Sequence, residues 1–189
     1  MAGWLRRAGH LALEDGRSVT WSVAEGRRGR RWREAVRKPD QPGIRHSLLL
    51  ELDPDGWFAH LELSTGAGLL TLHPEGDGTL HGNVIRATGV EHVRGLAWDP
   101  HAIVLIDGSI ISRFAAFPGL STVIAPGESR SVPVLRVPAD LHLVVSPEEV
   151  GRKDRDAQSF WTLWGPEQIR VDHDGQLRGS GIADWPLED

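Results

Sequence analysis

The chain has 189 residues, a net charge of −5, 40% hydrophobic residues and 25% charged residues. Length and composition suit a folded domain with a sizeable core; they exclude a disordered tail and a strongly basic nucleic-acid binder. With no cysteine, disulfide scaffolds, thiolate zinc sites and cysteine nucleophiles are excluded too.

Met1 to Arg7 reads M-A-G-W-L-R-R and polar residues follow at once, so no export signal is expected. No apolar run approaches the ~18 residues of a membrane helix. A cytoplasmic protein without a transmembrane segment is the expectation. The first 38 residues hold ten of the 21 basic residues and four of the 26 acidic ones. The cluster is Arg27, Arg28, Arg30, Arg31, Arg33, Arg37 and Lys38, with Trp32 inside it. A solvated hairpin and its flanking strand account for it, and an interaction module using Arg27–Lys38 on an anionic partner is the alternative. One Trp is not the repeated aromatic platform of an RNA binder, so no nucleic-acid partner is expected.

Asp-Gly pairs recur at Asp15-Gly16, Asp55-Gly56, Asp77-Gly78, Asp107-Gly108 and Asp174-Gly175. Both residues tolerate positive φ, which tight hairpins need. Between these turns lie strand-like segments. Trp57 to Ser64 alternates, with Trp57, Ala59, Leu61 and Leu63 on one face and Phe58, His60, Glu62 and Ser64 on the other. Gly68–His73, Ala102–Ile106, Val132–Val137 and Leu141–Ser146 are short, rich in Leu, Ile and Val, and bounded by Gly or Pro. Gln158–Trp164 and Glu167–Asp172 form a further pair split by Gly165-Pro166. Ser146 to Asp156 is the best helix prediction, since Ser146-Pro147-Glu148-Glu149 reads as an N-cap, Pro at the first position and acids in the first turn. The expected fold is all-β and mainly antiparallel. It is a large curled sheet or an open, spindle-like β-barrel with at most a short helix. Gln41–Gly43 reads as a loop and not a boundary, so residues 1–189 are taken as one domain.

The sequence holds no catalytic constellation. His73 and His81 flank the Glu75–Gly78 turn, and His92 and His101 flank Trp98. None stands in an H-E-x-x-H frame, and no metal site or cofactor is expected. Asp172-His173-Asp174-Gly175 opens like a calcium loop, but the twelfth position is Ala183. Gly127-Glu128-Ser129-Arg130-Ser131 lacks the second glycine of a nucleophile elbow. A hydrolase-type enzyme acting on a sugar or lipid ester, with His and carboxylates in a cleft, stays as an alternative. Trp57, Trp98, Trp161 and Trp164 lie in or beside predicted strands. They fill a core or line an apolar ligand cavity, with indole N–H groups free for a polar head.

Several blocks carry a family resemblance. Near the start stand Arg7-Ala8-Gly9-His10-Leu11 and Leu13-Glu14. Arg45-His46-Ser47-Leu48-Leu49-Leu50 then leads to Asp53-Pro54-Asp55-Gly56-Trp57. Further on come Ala125-Pro126-Gly127-Glu128-Ser129, Val137-Pro138-Ala139-Asp140-Leu141, Ile169 to Gly175, and Ile182-Ala183-Asp184-Trp185-Pro186. In this order they resemble the bacterial glycolipid-binding family. The resemblance implies an open, spindle-like β-barrel and a lipid or glycolipid ligand. The family's central Thr-Pro-x-Thr-Asn-Thr-Leu-Pro-Ile stretch falls near Gly108 to Leu120, where this chain has Ser109, Ser112 and Arg113 as its polar residues. The expectation is therefore a binding protein, not an enzyme, with an apolar cavity inside the curled sheet. Trp57, Trp98 and Trp161 form its wall, and Ser109, Ser112 and Arg113 contact the head group, since arginine pairs well with phosphate or carboxylate.

Overall fold

A computed structural model describes residues 6–155, 158–163, 168–172 and 182–185, with side chains through residue 153. Eight strands run up and down in chain order: β1 Arg6–Ala12, β2 Ser18–Gly26, β3 Gly29–Lys38, β4 Gln41–Leu52, β5 Phe58–Thr65, β6 Gly68–Pro74, β7 Thr79–Arg86 and β8 Gly89–Ala97. A ninth, β14 (Ile182–Trp185), pairs with β1, so the sheet has free ends at β14 and β8. Five more strands make a second sheet: β9 Ile103–Ile106, β10 Ser129–Val137, β11 Val144–Arg155, β12 Gln158–Leu163 and β13 Gln168–Asp172. Neighbours in both sheets are antiparallel, except that β9 runs parallel to β10. The parallel pair needs a crossover. It carries two short helices, α1 Ile111–Ala115 and α2 Phe117–Val123. The fold is thus all-β in the main, with a curled, unclosed large sheet. Among the described residues no helix is long and apolar enough to cross a membrane.

Alternation sets the faces. Register aligns Trp21, Glu34, Leu48, Leu63, Leu70 and Val84 across β2 to β7. All six are buried, so this is the inner face. The next row, Ser22, Arg33, Leu49, Glu62, Thr71 and Asn83, lies on the outer face. One apolar cluster joins inner-face residues such as Leu50, Leu61 and Leu72 to Ile103–Ile106, to Phe114 and Phe117 of the helices, and to Val134 and Leu135 of β10. The helices and the second sheet therefore supply the cover that one face of a large sheet requires.

The turns follow the Asp-Gly pattern. Gly16, Gly56 and Gly78 adopt positive φ between β1–β2, β4–β5 and β6–β7. Gly108 does so after β9, where it leads into α1 and not into a hairpin. The backbone N–H of Arg17 holds the Asp15 carboxyl below its ordinary value, and the Thr79 hydroxyl does the same for Asp77. Asp174-Gly175 lies outside the described residues.

Three local expectations are corrected. Ser146–Asp156 is not a helix, because Val144–Arg155 is strand β11. Pro147 pairs with Pro133. Partnering with β12 begins at Val150 and with β9 at Val134, so both prolines sit where one strand edge is open and no ladder N–H is missed. The helices lie instead over residues 111–123. They are buried at Ile111, Ser112, Phe114, Ala115, Phe117, Gly119 and Leu120, and at five and seven residues they are too short to show a helical period in the sequence. The alternation from Trp57 also breaks. A bulge between Glu51 and Leu52 puts Phe58 opposite Leu52, and Trp57 and Phe58 are both buried.

Candidate functional site

Glu34 is the charged-type residue of the inner row, and its side chain is fully buried. Strand β3 places it beneath the β9–α1 turn. The Ser109 hydroxyl donates to Glu34 Oε2, and the Ile110 N–H donates to Oε1 at 3.2 Å. His46 Nε2 lies 3.3 Å from Oε2. Ser109 Oγ in turn accepts the Ser112 N–H at 3.0 Å, and Ser112 Oγ accepts the Ile106 N–H at 3.1 Å. The cluster ties α1 to β3 and satisfies donors that burial would otherwise leave unpaired. It is not a hydrolytic triad. Serine and histidine both turn to the carboxyl group, so the histidine does not stand between the hydroxyl and the carboxylate as a triad requires.

His46 also borders a half-open cleft of about 740 Å³ at the end of the large sheet. Ile44 and Arg45 of β4 form one rim, while Arg17, Asp107 and Ala139 face them. Ile44 is 52% exposed. Arg17 is held by Asp15 at 2.6 Å and reaches the Gly108 carbonyl at 3.4 Å. Thr65 donates to the Ala139 carbonyl at 3.2 Å and ties the two sides together. Arg45 has no ion-pair or hydrogen-bond partner among the described residues. A second recess of about 480 Å³ runs over the sheet past Leu49 and Leu69. The two recesses share Ser47 and Ser64 in their walls.

The residues singled out from sequence are dispersed. Trp57 is buried with its ring edge 4.9 Å from His101, and Trp98 is buried against Phe58 at 5.3 Å. Trp57 and Ser112 border the same interior gap of about 10 Å³, room for one water at most. Ser109 and Ser112 belong to the Glu34 cluster. Arg113 is half-buried in the last turn of α1. The side chain of Trp161, in β12, lies outside the described residues.

Glu34 and Arg17 are not among the sequence-predicted site residues, and Arg45 and His46 stand out in the sequence only as part of a family-like block. A usable signal exists for Glu34: in W-R-E-A-V it alternates in phase with Trp32 and Val36. The pairing of Trp21 with Trp32 is passed over as well. Their rings lie 6.3 Å apart, and both buried indole N–H groups have no hydrogen-bond partner among the described residues. In the basic cluster, Arg30 pairs with Glu25 at 2.8 Å and Arg31 with Glu51 at 2.6 Å, while Trp32 points inward.

No family model matches the chain, and no curated protein does. Among solved structures, a crystal structure of a DUF1089 family protein from Pseudomonas aeruginosa is similar. Its TM-score is 0.46 and its identity 17%, over 94% of this chain and 88% of that one.

Proposed function

We propose that this protein is a non-enzymatic binder of an amphiphile, a lipid or a glycolipid, as its likeness to the bacterial glycolipid-binding family implies. The head group sits in the cleft at the sheet end, and the tail follows the outer recess past Leu49 and Leu69. One juxtaposition carries this reading. An exposed isoleucine, Ile44, stands beside an arginine with no partner among the described residues, Arg45, on the rim of a cleft of about 740 Å³. That size falls in the range of small-molecule pockets, roughly 300–1,000 Å³. A guanidinium binds phosphate or carboxylate oxygens in pairs. Covering an alkyl chain stabilises the complex by ~0.8 kcal/mol per CH₂, so affinity needs no chemistry.

Native mass spectrometry of the purified full chain should show a bound amphiphile. A fluorescent lysophospholipid and an alkyl glycoside should bind it, and Arg45→Glu or Ile44→Asp should weaken binding about tenfold or more, a change of ~1.4 kcal/mol. Absence of any copurifying amphiphile together with failure of both probes would overturn the proposal, as would variants that bind like the wild type.

A further inference from the structure

Strand β6 ends and β7 begins at a tight turn on the outer face, at the far end of β6 from the cleft. His73 and His81 are direct cross-strand partners there. Side chains two apart share a face, so Glu75 projects to the same side as His73. His73 Nε2 lies 3.0 Å from Glu75 Oε1, and His81 Nδ1 lies 3.5 Å from the same oxygen. The two rings meet edge to face at 6.0 Å. One ligand atom from each residue falls within 4.8 Å of the other two.

We propose that His73, Glu75 and His81 form a binding site for a divalent transition metal of the zinc class. Zinc bonds to nitrogen and oxygen of ~2.0–2.1 Å place neighbouring tetrahedral ligand atoms ~3.3 Å apart. The separations of 3.0 and 3.5 Å bracket that value. Two imidazoles and one carboxylate suit zinc, copper or nickel better than magnesium or calcium, which prefer oxygen. Three protein ligands leave a fourth position for water or an incoming ligand. All three side chains are nearly half exposed, so that position opens to solvent.

The turn holds the ligands in place. Pro74 fixes the chain between His73 and Glu75. The Glu75 N–H donates to the Thr79 carbonyl at 2.8 Å, and the Asp77 carboxyl accepts both the N–H and the hydroxyl of Thr79, at 3.0 and 2.6 Å. A hydrogen bond alone explains one histidine on one carboxyl, as His60 shows with Glu62 at 3.2 Å. Here a second ring nitrogen, from the neighbouring strand, turns to the same oxygen, so that three ligand atoms converge within 4.8 Å of one another, as a metal site requires.

The test is calorimetric titration of the full chain with Zn²⁺ alone, and with Co²⁺ to read a four-coordinate absorption spectrum. One equivalent should bind at micromolar concentration or tighter. His73→Ala, Glu75→Gln and His81→Ala should each weaken that binding about tenfold or more, while His92→Ala and His142→Ala leave it unchanged. The substituted side chains are half exposed, so circular dichroism should confirm folded variants. The proposal is overturned if zinc fails to bind at micromolar concentration. It is equally overturned if the three variants bind like the wild type, or if the control variants lose binding alongside them.

Discussion

Glu34 sits in a row whose neighbours are Trp21 and Leu48, and its side chain is fully buried. Its partners are the Ser109 hydroxyl, the Ile110 N–H and the His46 ring. Glu34→Ala leaves these groups buried and unpaired. Each unsatisfied donor costs roughly 1–3 kcal/mol, so a loss of about 3 kcal/mol is expected in urea denaturation. Glu34→Gln keeps the shape and one acceptor oxygen and should lose less than half as much. If alanine costs under about 1 kcal/mol, the cluster does not hold α1 in place. The same residues show why polar sites are hard to read from one sequence. Ser109 and Ser112 are visible as the polar members of an apolar stretch, but the Ser109 bond reaches β3 across 75 residues. Which polar residues meet depends on the crossover, and no local pattern encodes that.

At the level of elements, strands with one wet face declare themselves. Strand β5 and strand β6 follow the alternating or Leu-rich segments with Gly at their ends, because polar and apolar positions separate cleanly there. Helices of one or two turns do not, because five to seven residues are too few to show a 3.6-residue period, and α1 and α2 are such elements. Pro118 and Gly119 look like breakers. Pro118 instead starts a second helix at its first turn, where its missing N–H is harmless. Gly119 permits contact with the β4–β5 turn. A Cβ there would lie 2.7 Å from the Gly56 carbonyl oxygen and 2.9 Å from the Trp57 ring. Gly56 is as tight from its own side: a Cβ on it would lie 2.7 Å from the Gly119 nitrogen, and its φ is +89°. Neither backbone has room to retreat without shifting α2 off the sheet. Gly119→Ala should therefore destabilise by about 1–3 kcal/mol, the usual cost of an overpacked core. A thermal melt unchanged from the wild type would show that α2 moves freely.

Across the whole molecule, stability and the proposed binding rest on different surfaces. Beneath the helices the interior is filled: Phe117 is 2% exposed, its ring meets Phe114 edge to face at 5.9 Å, and Ile111 and Leu120 are fully buried. The two larger recesses among the described residues lie at the rim and over the outer face, and Ile44, on the rim, is exposed and contributes little to folding. The two properties should therefore separate by mutation. Phe117→Ala opens a cavity and should cost about 3–5 kcal/mol, a large share of the roughly 5–15 kcal/mol that holds a typical domain together. Phe117→Leu is the milder variant for measurements that need a well-populated fold. Either should keep the wild-type affinity for a lysophospholipid, provided the assay is run well below the melting temperature. Ile44→Asp should do the reverse, shifting stability by less than about 0.5 kcal/mol while weakening the probe's binding. Urea denaturation and probe titration on the same three preparations decide the matter. Loss of binding in Phe117→Leu with Ile44→Asp unaffected would place the ligand beneath the helices and away from the rim.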